Sequence, residues 1–118
     1  MGDTWFSRGS GMQHVEHRQK MRHQINAITY VAWGGRLAET KAVNISPQGI
    51  LLKSPSLSCP PNLKIEICCT INKQLYKIPG ITIHNREGYI GVEFDKLQLE
   101  FYQSLVSSEQ EKEVGTAA

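Results

Sequence analysis

The sequence has 118 residues but only three cysteines, and it contains no long hydrophobic run. Cys59, Cys68 and Cys69 are an odd number and include two direct neighbours, which is a poor basis for a disulfide framework, so reduced thiols are expected. No segment approaches the roughly 18 consecutive apolar residues of a transmembrane helix, and the first residues lack the apolar stretch of a signal peptide. These absences predict a cytoplasmic protein that does not insert into a membrane.

The residue patterns of metal sites and of serine enzymes are also missing. His14, His17, His23 and His84 form no HxxxH spacing, and the cysteines form no CxxC spacing. The first three histidines are expected to be solvated on an N-terminal arm. Ser46 lacks the strand, turn and helix context of a nucleophile elbow. We therefore expect no metal site, no catalytic residue and no enzyme activity.

Strong overall charge is absent as well, because the formal net charge is only +2. The basic charge is local, since residues 8–23 carry four lysines and arginines against a single acid, Glu16. Aromatic side chains on strands could stack on single-stranded RNA; these are Tyr30, Trp33, Tyr76 and Tyr89. The strand region has few basic residues to follow a nucleic-acid backbone, so core or cross-strand positions are favoured. No DNA or RNA partner is expected.

The central part of the chain alternates between apolar and polar residues in short segments separated by turn residues. In Leu63–Ile71 every second side chain is apolar, which predicts a strand with one face in a core. Pro79 and Gly80 indicate a bulge or an edge position. Six strands are predicted, at residues 25–33, 36–45, 50–52, 63–71, 74–85 and 89–94. The fold class is therefore all-β, as a sandwich or a barrel.

The period of the apolar residues changes after Asp95. Residues 96–113 contain no glycine or proline, and their apolar side chains cover a wide helical arc, which predicts a helix packed on the strands. The expected organisation has a flexible tail at 1–13, whose Gly/Ser-rich start is typical of cloning-derived residues. One domain follows at 14–106, with an arm at 14–23, strands at 24–95 and a helix from 96. A helix end and a disordered tail complete the chain at 107–118.

The segment Arg18–Arg22, RQKMR, places two guanidinium groups on one side of the chain, whether it is helical or extended. Guanidinium binds phosphate through two hydrogen bonds, donates to O6 and N7 of guanine, and stacks on bases. These abilities suit a guanine nucleotide. A solvated basic arm is the alternative, and the arginine spacing alone favours it.

The segment Asn44–Gly49, NISPQG, is a polar turn. In an extended chain Asn44 and Ser46 point to the same face and offer an amide and a hydroxyl to a base or a sugar. Pro47 removes a backbone donor, and Gly49 permits a positive φ or a close approach of a ligand to the backbone. In the alternative, the Asn and Ser side chains only bond neighbouring backbone groups of a tight turn.

The order and spacing of the two segments resemble the PilZ domain family, whose pattern is RxxxR followed by D/N-x-S-x-x-G. Both halves are complete here, as Arg18 and Arg22 and as Asn44, Ser46 and Gly49. The segment ILL after the turn and GYIGVEF before the terminal helix fit the same family. The resemblance covers roughly residues 14 to 106.

The resemblance implies a six-stranded antiparallel PilZ-type β-barrel with a C-terminal helix and a flexible N-terminal arm. It also implies a bacterial receptor for bis-(3′,5′)-cyclic dimeric GMP, or cyclic di-GMP, with no other cofactor. Arg18 and Arg22 would contact phosphates and guanines, while Asn44, Ser46 and Gly49 would hold a guanine against the barrel. His17 and Gln48 are candidate secondary contacts, and the ligand would be one nucleotide or an intercalated pair.

Binding would reorder the arm and present a new surface to a downstream protein that the sequence does not identify. The alternative is an interaction scaffold of the same fold with little or no nucleotide binding. Some PilZ-like proteins lack the motif residues and act in this way, whereas the intact motif of this chain favours the receptor.

Overall fold

The structure is a computed structural model of the chain and describes residues 22–54, 57 and 59–117, with side chains through Glu111. It contains six strands and a helix: β1 (His23–Trp33), β2 (Arg36–Ser46), β3 (Gly49–Lys53), β4 (Lys64–Ile71), β5 (Gln74–Arg86), β6 (Tyr89–Phe94) and α1 (Leu99–Ala117). The predicted all-β class with six strands and a C-terminal helix is confirmed. In this part of the chain no helix is both long and apolar enough to span a membrane.

The strands form a closed antiparallel barrel in the order β1-β2-β3-β6-β5-β4. Tight turns at Gly34-Gly35, Asn72-Lys73 and Glu87-Gly88 connect sequential strands, and all six of these residues have positive φ. The barrel closes between β1 and β4, where Val31 pairs with Ile67. This pairing spans Tyr30–Ala32 of β1 and Glu66–Cys68 of β4, and it joins the two ends of the sheet.

Alternate side chains of the strands fill the barrel. Val31, Ile45, Ile67 and Val92 are each at most 1% exposed, and burying a side chain of this size contributes about 1.5–3 kcal/mol. Helix α1 adds Phe101, which is also 1% exposed. The Phe101 ring lies 5.4 Å from Tyr76 and 6.0 Å from Phe94, measured between ring centroids. The helix therefore shares the core of the barrel, as the apolar arc predicted.

Helix α1 begins at Leu99, three residues after its predicted start. Residues 95–98 link β6 to α1 and are held by backbone hydrogen bonds to other parts of the barrel. Asp95 N donates to Pro79 O at 3.0 Å, and Gln98 N donates to Pro47 O at 2.9 Å. These long-range bonds override the helical propensity of the link.

A bulge or an edge position was predicted at Pro79-Gly80, and the bulge is wrong, because both residues pair in regular register with β4. The register of β5 shifts instead against β6, between Thr82 and His84. A Cβ at Gly80 would lie 2.8 Å from the backbone oxygen of Glu93. Glycine is therefore needed at residue 80 for the close approach of β6.

Candidate functional site

The turn between β2 and β3 is built around the side chain of Ser46, which is fully buried. Ser46 Oγ donates to Gln48 Oε1 at 3.1 Å and accepts from Gln48 N at 3.2 Å. Pro47 and Gly49 are also buried, and Gln48 is half-buried. Both hydrogen bonds of the Ser46 hydroxyl are therefore made within the turn. This agrees with the alternative in which the Ser side chain bonds neighbouring groups of a tight turn.

The same turn is held from outside by the end of β6 and by the link to α1. Phe94 N donates to Gln48 O at 2.8 Å, and the Pro47 carbonyl accepts the hydrogen bond from Gln98. Gly49 pairs with Glu93 of β6. Because its backbone carbonyls are already bonded, the turn is held rigidly against β6 and the link to α1.

Gly49 does not have the positive φ of a left-handed backbone conformation. The glycines with positive φ in the described part of the chain are Gly34, Gly35 and Gly88. Of the two roles expected for Gly49, the positive φ is therefore wrong, because the residue starts β3 in an extended conformation. Close approach to the backbone is the role that its position still allows.

The two sequence motifs meet where β1 begins beside the end of β2. Gln24 pairs with Asn44, which brings the residue before β1 next to the turn. Arg22 Nε donates to Asn44 Oδ1 at 3.4 Å across 22 residues of sequence. Burial lowers the pKa of Arg22, although an arginine side chain keeps its charge at physiological pH. A guanidinium and an amide therefore lie side by side next to the Ser46 turn, while Arg18 and His17 lie outside the described residues.

Both strands that carry this site are irregular near it. The register of β1 against β2 shifts between Gln24 and Ala27, and that of β2 against β3 shifts between Ala42 and Asn44. Such bulges bend a strand and redirect its side chains, and they are frequent beside functional sites. The first bulge removes Asn26 from the ladder, and Asn26 N donates instead to Glu109 Oε1 of α1 at 2.8 Å.

A second contact ties the start of β1 to the helix. His23 Nδ1 and the Tyr102 hydroxyl are hydrogen-bonded at 2.6 Å, and their rings are 5.5 Å apart. Burial raises the pKa of Tyr102, so its hydroxyl stays protonated near neutral pH. His23 is exposed, as expected for a solvated side chain, but it is the first residue of β1 and not part of an arm before the strands. His14 lies outside the described residues.

Sequence reasoning missed three residues that position the site, namely His23, Tyr102 and Glu109. Tyr102 and Glu109 are seven residues apart in α1, so the helical period places them on one face. Their partners in β1 lie 79 and 83 residues away in sequence. No local pattern identifies partners at that distance.

The other sequence candidates do not come together. The Tyr76 hydroxyl bonds Ser104 at 3.0 Å, and the Tyr89 ring lies 5.7 Å from Lys53 Nζ. Tyr30 is on β1, which is not a neighbour of the strand of Tyr89, so these aromatics form no common stacking surface. Within residues 22–54, 57 and 59–117, no three His, Cys, Asp or Glu side chains are placed to share a metal ion.

The cysteines are free thiols in the structure. Cys69 lies in the core, as predicted, and burial raises its pKa to about 11. Cys68 is half-buried on the outer face of β4, and burial followed by the nearby Glu66 charge raises its pKa. Both thiols are therefore protonated at neutral pH, and nucleophilic chemistry is not favoured at either.

Solved structures with the same fold include PilZ domains, although no protein-family model and no curated protein matches the sequence significantly. The PilZ domain of CeSA from a cellulose-synthesizing bacterium superposes with a TM-score of 0.58 at 17% identity, over 78% of this chain and 97% of that domain. The Bacillus subtilis inhibitor of motility MotI/DgrA gives 0.60 at 13% identity, over 80% of this chain and 50% of that one. The Borreliella burgdorferi PlzA protein in complex with cyclic di-GMP gives 0.54 at 13% identity, over 80% and 37%. The chain therefore folds as a PilZ-type domain.

Proposed function

We propose that this protein is a receptor for cyclic di-GMP that binds the nucleotide without catalysis. The observation that carries the proposal is the contact of Arg22 with Asn44, since it joins the two motif halves at one place on the barrel. The PilZ-type fold supports it, and one structure with this fold, PlzA, was solved in complex with cyclic di-GMP.

The site offers the groups that such a ligand needs. The guanidiniums of Arg18 and Arg22 would neutralise phosphates and bond or stack on guanine. Asn44 would exchange its bond to Arg22 for one to a guanine edge, as its amide both donates and accepts. Ser46 and Gly49 would hold that guanine against the rigid turn, with Gln48 and His17 as secondary contacts. One nucleotide or an intercalated pair would bind in this way.

The proposed signal passes from the arm to a downstream protein. We expect the arm ahead of Arg22, residues 14–21, to become ordered over the nucleotide and to present a new surface. The bonds from His23 to Tyr102 and from Asn26 to Glu109 connect the base of that arm to α1. Hydrogen exchange with and without cyclic di-GMP tests this step, and equal exchange of residues 14–21 in both states contradicts it.

Isothermal titration with cyclic di-GMP tests binding itself, with GMP as the ligand control. We expect saturable binding to the wild type and much weaker binding to Arg22→Ala and Ser46→Ala. Arg36→Ala is the matched control, because Arg36 is exposed beside the opposite turn. The stoichiometry distinguishes one nucleotide from a pair. No binding to the folded wild type contradicts the receptor and favours the interaction scaffold.

A further inference from the structure

A lysine outside both sequence motifs lies beside the proposed nucleotide site. Asn44 pairs with Leu51 of β3, so its diagonal neighbours on that strand are Gly49 and Lys53. The Cα atoms of diagonal neighbours are about 7–8 Å apart. Side chains alternate along a strand, and the fully buried Leu52 places Leu51 and Lys53 on the outer face. Lys53 is therefore as near to Asn44 in the sheet as the motif residue Gly49 is.

The two ends of β3 differ in charge on this outer face. Gly49 pairs with Glu93 of β6. At the other end the exposed Lys53 pairs with Tyr89, and Tyr89 pairs in turn with Arg86 of β5. A carboxylate repels phosphate, whereas an ammonium and a guanidinium attract it. A phosphate over β3 is therefore favoured at the Lys53 end.

The ammonium group of Lys53 is held on the outer face by an aromatic ring. Lys53 Nζ lies 5.7 Å from the centroid of the Tyr89 ring, within the range of a cation–π contact. On β2 the direct partner of Lys53 is Lys41, and like charges directly opposite each other destabilise a strand pair. Lys41 also lines a cavity of about 470 Å³ on the β1 side, together with Glu109. A phosphate bound by Lys53 offsets the repulsion between the two lysines.

Two further carboxylates lie near Lys53 in the sheet. Glu39 precedes Lys41 by two residues, and Glu87 precedes Tyr89 by two residues. Both carboxylates are exposed, and exposed ion pairs contribute little because water and salt screen them. A bound nucleotide excludes water from its own contact with Lys53, which strengthens that attraction relative to the exposed pairs. The two acids are therefore weak competitors for the Lys53 ammonium.

We propose that Lys53 binds a phosphate of cyclic di-GMP and that Tyr89 positions the lysine ammonium. This inference rests on the proposed function. Arg22 contacts Asn44 from the β1 side, and Lys53 lies on the β3 side, so one cation stands on each side of the amide. The ligand has two phosphates, and each then has its own cation. One guanidinium of the RxxxR segment is left to bond or stack on guanine.

Isothermal titration with cyclic di-GMP tests the role of Lys53. Lys53→Gln removes the charge and keeps part of the side-chain stem, and we expect it to weaken binding by about three- to tenfold. Lys53→Arg keeps a cation and is expected to bind nearly like the wild type. Lys77→Gln is the matched control, because Lys77 is exposed and pairs with Cys68 of β4. The loss in Lys53→Gln is expected to shrink between about 0.05 and 0.5 M salt, since screening weakens a charge contact.

The same titration tests Tyr89 as a positioning residue. Tyr89→Phe keeps the ring beside the ammonium and is expected to bind like the wild type, whereas Tyr89→Leu is expected to weaken binding. In the Lys53→Gln background, Tyr89→Leu is expected to add little further loss, because the ring acts through the lysine. Equal losses from Tyr89→Leu in both backgrounds contradict the positioning role.

The outcomes separate this inference from the proposed function. Saturable binding by the wild type together with wild-type affinity in Lys53→Gln overturns the inference and leaves the receptor intact. Equal losses in Lys53→Gln and Lys77→Gln also overturn it, since the overall positive charge then attracts the nucleotide. No binding by the folded wild type contradicts the receptor itself, and the inference with it.

Discussion

The barrel contains two short turns at opposite ends of β2 that differ in what determines their residues. The turn at Gly34-Gly35 is exposed, both residues have positive φ, and an added Cβ would meet nothing within 4 Å. The turn at Pro47-Gln48 is bonded to β6, to the link before α1 and to Ser46. Backbone conformation selects the residues of the first turn, and tertiary contacts select those of the second. A turn fixed by contacts from several elements can position a ligand.

The largest difference is expected from inserting a Gly-Ser pair into each turn. At Gly34-Gly35 the insertion is expected to cost about 0.6 kcal/mol, because only loop closure changes. Between Pro47 and Gln48 it separates the carbonyls that accept from Gln98 and Phe94, and a loss of about 3 kcal/mol is expected. Urea unfolding of both variants measures the difference, and equal midpoints would remove the distinction between the turns.

The arginines beside the two turns are expected to differ in cyclic di-GMP affinity. Arg22→Ala removes the charge next to Asn44, and bonds to charged groups contribute about 1.5–3 kcal/mol, so affinity is expected to fall by ~10- to 100-fold. Arg36→Ala, beside the glycine turn, is expected to bind like the wild type. Titration at one fixed salt concentration checks both values. Similar losses of affinity in the two variants would indicate that the overall positive charge of the protein attracts the nucleotide.

Ser46→Ala tests how much the Ser46 hydroxyl contributes to the stability of the second turn. The substitution leaves Gln48 N and Gln48 Oε1 without the Ser46 hydroxyl, and a loss of about 1–2 kcal/mol is expected. Gln48→Ala keeps the backbone bond to Ser46 and is expected to lose less. Chemical denaturation of the two variants measures which of them loses more free energy of unfolding. An unchanged free energy of unfolding in Ser46→Ala would mean that the hydroxyl does not hold the turn.

The smallest effects are expected at the glycine turn. Gly35→Ala is expected to cost about 1 kcal/mol, because φ is +78° although the space is open. Gly34→Asn is expected to cost less, since asparagine tolerates this conformation. Thermal unfolding of Gly35→Ala and Gly34→Asn measures the two losses of stability. Equal losses at both positions, or a loss as large as that of Ser46→Ala, would show that more than backbone conformation determines this turn.

Local patterns predicted most of the strands, and the family resemblance predicted that they form a barrel. Alternation identified β4 and β6, and glycine or asparagine turns set the strand ends, because both signals depend on neighbouring residues. The start of α1 and the role of Gly80 were misjudged, since backbone contacts from Pro47 and Glu93 decide them. The contacts of His23 with Tyr102 and of Asn26 with Glu109 were not predicted either, because they join segments far apart in sequence. The binding roles of Arg22, Asn44 and Ser46 stay predictions.

The central claim is that the Ser46 turn and Arg22 form a nucleotide site and that the glycine turn does not. Backbone amide NMR of the labelled full chain during titration with cyclic di-GMP tests it most directly. We expect saturable shifts at Arg22, Asn44, Ser46 and Gly49, and unchanged signals at Gly34 and Gly35. No shifts at all, or shifts centred on Gly34 and Gly35, would contradict the account.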